Sequence, residues 1–267
     1  IGDITAAPAG ENWSLSGTVE RVVDAGSADL LLIAADGPDG TALFAVDTDS
    51  AAVQRVPLTT LDPTRPQATV TLTDAPARLI AGPDEADRVI AHALHVGSAL
   101  LAVEQVGAAQ HLLDLSVDYA KNRLQFGRPI GSFQAVKHKL ADGLVAVEHA
   151  RSTAYHAVWA LTYGTDDPAL AVSIAQAVCS AALTQIANDT IQVLGGIGFT
   201  EEHALQHHVK RVLVLDGLLG SSRELTRRAG AGLRARRAGP PPHQRGSVPP
   251  SHFSRIFREE FGTTPRQ

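Results

Sequence analysis

The stretch Tyr119-Ala120-Lys121-Asn122-Arg123-Leu124-Gln125-Phe126-Gly127-Arg128-Pro129-Ile130-Gly131-Ser132-Phe133-Gln134 interrupts a helical pattern that dominates the middle of the chain. Before it, from Pro83, apolar residues recur at helical spacing to about Asn122. Asp84 is a plausible cap there, and Glu85 lies in the first turn, where the helix dipole favours an acid. Phe126 to Gly131 then supplies two glycines and a proline, which stop the helix. A second helix is predicted from about Ser132 to Tyr163. Gly164-Thr165-Asp166-Asp167-Pro168 ends it and opens a third with proline near its first position. The third runs to Leu194 and a fourth from about Thr200 to Arg228. Four long helices joined by short loops predict an antiparallel four-helix bundle.

Upstream, the period changes from helix to strand. Ser14 to Val19, Leu30 to Ala34, Ala42 to Val46 and Ala68 to Leu72 alternate or run apolar, with breaks at Asp36-Gly37-Pro38-Asp39-Gly40 and Asp62-Pro63-Thr64-Arg65-Pro66. Antiparallel strands joined by turns have this pattern. The fold class is therefore α+β: a small, partial antiparallel β domain over residues 1–82, then the bundle over 83–228. Between Ala229 and Pro250, five prolines and four glycines in 22 residues predict a flexible linker, and a short helical pattern returns from Ser251 to Gln267. Residues 229–267 thus form a linker and tail.

The 267 residues carry 23 Lys+Arg against 28 Asp+Glu, 44% hydrophobic residues, one cysteine and no methionine. That composition belongs to a globular protein of one or two domains and excludes general disorder or a disulfide scaffold. No run approaches about 18 consecutive apolar residues and no secretory signal opens the chain, so a cytoplasmic location is expected and a membrane is not. A start at Ile1 rather than Met is expected of a fragment or a processed product. Charge is uneven: Arg223 to Gln267 holds ten Arg and three acids, a net +7, which leaves −12 for residues 1–222. An acidic body argues against nucleic acid as the main partner.

Several features have plain structural explanations. The third helix is rich in alanine, and Cys179 within it is expected to pack as a small hydrophobe. His203 and His207 share a helix face with His208 beside them, but no third metal ligand accompanies them, so no metal is expected. Gly195-Gly196-Ile197-Gly198 lacks the Lys-Ser/Thr of a P-loop, and a helix precedes it where a dinucleotide fingerprint needs a strand. It is a helix-to-helix turn whose glycines permit positive φ or close approach.

Two stretches carry a resemblance. Tyr119 to Gln134 resembles the segment after the first C-terminal-domain helix of the acyl-CoA dehydrogenases. Gln192-Val193-Leu194-Gly195-Gly196-Ile197-Gly198-Phe199-Thr200-Glu201 is similar to that family's turn between its third and fourth helices. The β domain resembles the family's middle domain, whereas its N-terminal helical domain has no counterpart here. The resemblance implies α,β-desaturation of an acyl-CoA thioester: a carboxylate takes the α proton, a hydride leaves the β carbon for FAD, and an electron-transfer flavoprotein reoxidises the flavin. It also implies an oligomer that shares its flavin across subunits. Arg123 matches the pyrophosphate-binding position, where a guanidinium suits phosphate oxygens, and Phe126 is placed to pack on the cofactor. Gln134, Gln192, Val193, Leu194, Gly195 and Gly196 match the remaining contacts. An interhelical ion pair for Arg123 and a core position for Phe126 stand as the alternatives.

The departures from the family's pattern concern the base. Its usual Glu, just before Gly-Thr, aligns with Leu219, and the alternative position early in the first bundle helix falls at about Gly97. Leucine and glycine cannot accept a proton. Asp216 and Glu104 are the nearest acids in sequence, each displaced by one or two helical turns, which spoils near-attack geometry. Where the family commonly sets a Trp-x-Thr against the flavin ring, this chain has Arg21-Val22-Val23. These departures imply a subunit that lacks its own catalytic Glu and shares FAD with a partner of the same family. The alternatives are a homo-oligomeric enzyme with an unrecognised base and a decayed product without activity. Finally, Pro250 to Pro265 resembles the end of an AraC-type helix-turn-helix, with Ser251 as cap and Phe253, Phe257 and Phe261 as core face. Lacking the rest of that domain, it is expected to be a fusion or reading-frame artefact rather than a DNA reader.

Overall fold

The computed structural model describes residues 4–238 except 165, 201 and 221, so the expected linker beyond 238 and the helix-turn-helix-like tail lie outside the described residues. Six strands form the β domain: β1 Thr5–Ala9, β2 Asn12–Val23, β3 Leu30–Gly37, β4 Gly40–Asp47, β5 Val53–Leu58 and β6 Gln67–Ala81. They run in the order β2-β1-β3-β4-β6-β5, and β6 also pairs with β2, so the sheet closes on itself. Closure gives five of the six strands a neighbour on both sides and leaves β5 as the one edge. The pairing is antiparallel throughout except for one parallel bridge, Thr5 to Asp36, between β1 and β3. Strands β1 and β5 were not anticipated. Proline sits in both, and Pro57 is tolerated because β5 pairs with β6 on one side only. Leu15, Phe44, Val46 and Val70 fill the interior with no exposed surface, and the Trp13 ring tilts against Phe44 at 5.3 Å.

The helical domain has five helices rather than four: α1 Pro83–Asn122, α2 Gln134–Tyr163, α3 Pro168–Leu194, α4 Leu205–Gly217 and α5 Ser222–Ala238. The expected fourth helix is broken at Leu218 to Gly220, where Leu219 and Gly220 take positive φ (+61° and +128°), a conformation no helix accommodates. α5 continues through Ala238, ten residues past the expected domain end at Arg228, because its face packs on α3. A Cβ added to Gly232 would stand 2.8 Å from Leu170 Cδ1. Gly82, not Asp84, is the N-cap of α1, with Pro83 in the first turn and Asp84 just inside it. α3 starts with Pro168 in its first turn, as anticipated, and the Asp167 carboxylate caps it by accepting from the Leu170 amide, which the sequence reading did not name. α1 and the α3 segment reach the length and hydropathy of a membrane span, but 56% of the α3 window is buried inside the protein, as in a core helix.

Leu43 and Ala81 of the β domain pack on Ala86 of α1, and an ionic clamp reinforces this seam. Asp62, fully buried, accepts from the Thr64 amide (2.9 Å) and hydroxyl (2.6 Å) through Oδ1, and from Arg211 Nη1 (3.0 Å) through Oδ2. Arg211 also donates Nε to Glu104 Oε1 (2.9 Å), whose carboxylate receives Arg65 Nη2 at 2.9 and 2.7 Å. One loop of the β domain, α1 and α4 thereby share a single charge network. Burial by itself pushes the Asp62 carboxyl up; the Thr64 and Arg211 hydrogen bonds, with the Arg211 charge, outweigh it and hold the group below its ordinary 3.8.

Arg211→Met leaves Asp62 buried without its counter-charge and is expected to cost about 3 kcal/mol in urea unfolding. Because the folded carboxyl titrates below the unfolded one, its contribution is complete above the ordinary carboxylate range and is lost as pH falls through the folded value. Asp62→Asn should therefore flatten the acid limb of the stability–pH curve; an unchanged limb would refute this assignment. At the far end of α3, Gly195 adopts φ +63°, ψ −135°, accessible essentially to glycine alone. Gly195→Ala is expected to lower stability by about 1–3 kcal/mol, read from the shift in urea midpoint at constant slope.

Candidate functional site

The break after α1 is a small hairpin. β7 (Leu124–Gln125) pairs with β8 (Arg128–Pro129), and the two residues between them, Phe126 and Gly127, both take positive φ (+54° and +75°). Such a two-residue turn matches the right-handed twist of its strands but strains a side chain other than glycine by about 1–2 kcal/mol. Phe126 is nonetheless 91% exposed, its edge meeting the Phe133 ring at 6.1 Å, while the Arg128 guanidinium lies 4.2 Å over the other aromatic. A strained, projecting aromatic has no packing reason to be there. The chain returns close over α1: a Cβ on Gly131 would sit 2.9 Å from the Ala120 carbonyl oxygen, so only glycine fits. Arg123 closes the base of the hairpin with its backbone, donating N–H to Tyr119 O and accepting from the Ile130 amide, both at 2.8 Å.

Between the hairpin, the first turns of α2 and the end of α3 lies an open groove of about 530 Å³, lined among others by Gln125, Phe126, Phe133, Lys139, Gln192 and Val193. Of the residues singled out from the sequence, Phe126, Gln192 and Val193 line it. Gln134 is the first residue of α2, exposed and next to Phe133, and Arg123 is exposed at the hairpin base with no ion pair among the described residues. Phe126 is no core residue. Gly195 and Gly196 begin a 3₁₀ turn, Gly195–Phe199, that follows α3 directly, and the Leu194 side chain is buried in the bundle core rather than in the groove. Gln125, Phe133 and Lys139 were missed. The signal that marks their segment is charge: from 119 to 141 there are five Lys/Arg and no acid, inside a chain of net charge −5.

The two positions at which the sequence resemblance puts the family's base come together elsewhere, at the corner between α4 and α5. A Cβ added to Gly97 of α1 would stand 3.5 Å from Leu219 Cδ1, so two positions found separately along the sequence face the same spot. Neither bears a carboxylate. Glu104 is committed to Arg65 and Arg211 in the clamp, and Asp216 accepts a 2.6 Å hydrogen bond from the Ser180 hydroxyl. At the bulge of β2, Arg21-Val22-Val23 offers neither aromatic ring nor hydroxyl.

The histidines are occupied locally. His203 Nδ1 accepts from the Leu205 amide at 3.1 Å, and His208 tilts against His111 of α1 at 4.8 Å. Burial, then the charges of His111, His207 and His203, lowers the pKa of His208, so the neutral ring is favoured. Burial pushes the Cys179 thiol up to about 11 while its Sγ lies 3.4 Å from Ala150 O, an inert packed thiol.

Comparison with known proteins bears on this arrangement. The family profile described as acyl-CoA dehydrogenase, C-terminal domain, matches residues 88–233. Acyl-CoA dehydrogenase IpdE2 of Mycolicibacterium smegmatis is 36% identical over 215 residues, covering 78% of this chain and 60% of IpdE2. Among solved structures, a variant of the Tcur3481-Tcur3483 steroid ACAD superposes with a TM-score of 0.76 at 32% identity, covering 88% of this chain and 63% of that one. The ChsE4-ChsE5 complex from Mycobacterium tuberculosis gives 0.78 at 28% identity, with coverages of 90% and 64%. The chain thus spans about 60% of the length of these relatives. With a closed β domain, a helical domain of the same architecture and a profile match over more than half its length, the chain belongs to the acyl-CoA dehydrogenase family.

Proposed function

We propose that the protein is a subunit of an acyl-CoA dehydrogenase-type flavoprotein that contributes one wall of an FAD site but no catalytic carboxylate, and that it works with a second chain of the family that carries the glutamate. The observation behind this reading is the meeting of Leu219 with Gly97: both positions where the family's base is expected face one spot, and neither bears an acid. FAD, when bound, supplies the hydride acceptor for α,β-desaturation of an acyl-CoA thioester.

The residues around the groove suit that cofactor. An exposed guanidinium with no ion pair among the described residues, Arg123, matches a pyrophosphate in a bidentate manner. Phe126 and Phe133 offer aromatic faces to a planar ring, and the amides of Gln134 and Gln192 both donate and accept hydrogen bonds. Gly195 and Gly196 carry no side chain to hinder close approach of a ligand to the backbone. Proton transfer is what the chain does not supply. A general base must lie within hydrogen-bond reach of the α carbon's proton, and a leucine methyl fills that place here. With Glu104 held by two arginines and Asp216 bonded to Ser180, the carboxylate comes from the partner chain. An electron-transfer flavoprotein is the expected acceptor of the electrons. Two similar structures bear paired names, ChsE4-ChsE5 and Tcur3481-Tcur3483, which fits assembly from unlike chains.

The test is a flavin absorbance spectrum of the protein expressed alone and together with a second acyl-CoA dehydrogenase chain that has the glutamate. Flavin retained, and bleached by an acyl-CoA, only in the co-expressed complex is the expected result. Flavin bound and bleached by this protein alone would overturn the partner reading, and no flavin in either preparation would overturn the cofactor assignment.

A further inference from the structure

Among the described residues that line the groove, only one side chain is charged. Lys139, in the second turn of α2, lines it with Gln125, Phe126, Phe133 and Gln192, and its ammonium pairs with Asp189 Oδ1 of α3 at 2.5 Å. The Lys139 side chain is 44% exposed, and an ion pair that open to water contributes little to stability, so packing gives no strong reason for it. An ammonium has three N–H donors; Asp189 takes one, and Lys139 has no other partner among the described residues. The surroundings reinforce its charge. Lys121, Arg123, Arg128 and Lys137 lie in the same acid-free run, although residues 1–222 as a whole carry a net −12. A groove with aromatic faces, two carboxamides and an incompletely used ammonium has the chemistry that an adenine nucleotide asks for: stacking for the base, amides for its edges, cations for its phosphates.

We propose that Lys139 is a further cofactor-binding residue, whose ammonium donates to a phosphoryl oxygen of the adenylate half of the dinucleotide, and that Asp189 is a positioning residue which holds it on the α3 wall of the groove. The proposal rests on the reading of this groove as an FAD site. Asp189 fixes one N–H of the ammonium and thereby limits the rotamers of a long, flexible side chain, lowering the entropy lost when the ligand arrives.

The experiment uses the complex of this chain with its partner chain, stripped of flavin and titrated with FAD and with ADP by flavin fluorescence and calorimetry. Removing one charge-assisted hydrogen bond by Lys139→Met is expected to weaken both ligands about tenfold and to flatten the salt dependence of their binding. Lys139→Arg, which keeps the charge, should bind FAD nearly as the unmodified complex does, and Asp189→Asn, which keeps the ammonium but frees its rotamers, should weaken FAD by a smaller factor than Lys139→Met, about twofold to threefold. A merely structural ion pair would make Lys139→Met and Asp189→Asn equivalent, and that result would overturn the proposal. So would unchanged FAD and ADP affinities in Lys139→Met while the unmodified complex binds both, a result that leaves the groove as the cofactor site. Failure of the unmodified complex to bind either ligand would overturn the groove assignment itself, and this proposal with it.

Discussion

Close approach of helices through alanine is the constraint on which the helical domain depends. α3 packs against all four of its fellows; Ala171, Ala175 and Ala182 along it are buried in one cluster with Ala99 and Ala102 of α1 and Ala150, Ala154 and Ala157 of α2, and Ala187 in another with Ala109 of α1. With methyl groups on both sides, the backbones come near enough that a longer side chain would force them apart. Of the polar groups that enter this interior, the Ser116 and Thr190 hydroxyls meet at 3.0 Å between α1 and α3, whereas Oε1 of Gln105 and both polar side-chain atoms of Gln176 are buried with no hydrogen-bond partner among the described residues. Cys179 falls in the same layer, which is why its thiol is desolvated and unreactive.

That packing positions the groove. α3 is held along its length, so its last turn presents Gln192 and Val193 beside the hairpin, and Gly195 turns the chain away at once. The hairpin is pinned from the other side: Gly131 lies on the last turn of α1, and the Arg123 backbone bonds to both Tyr119 and Ile130. Two short contacts thus set a strained aromatic turn against a rigid helix end. At the opposite seam, the Asp62–Arg211–Glu104–Arg65 network ties the β domain to α1 and α4. It also accounts for Glu104, which in sequence is merely an acid two helical turns beyond Gly97.

Much of this was legible from residue order. Helix limits at Asn122, Tyr163, Pro168 and Leu194 follow from glycine and proline, both local signals, and the structure has them within two residues. The β strands with strong alternation were legible too. β1 and β5 were not, since each contains proline and alternates poorly, and both exist because a neighbouring strand offers hydrogen-bond partners. The break of the fourth helix escaped for a related reason. Gly217-Leu218-Leu219-Gly220 is compatible with a helix until α5 must fold back along α3, and only that packing gives Leu219 its positive φ.

The site divides along the same line. Sequence alone determined the family and its two motifs, because these depend on which residue stands at which place in a known order. Tertiary structure decided which of those residues share a surface. Phe126, Gln192 and Val193 line one groove with Phe133 and Lys139, whereas Leu194 turns into the core, and Leu219 meets Gly97 across more than a hundred residues. Such meetings are set by helix crossings and by the few ångströms that alanine allows between them, distances that no spacing along the chain encodes.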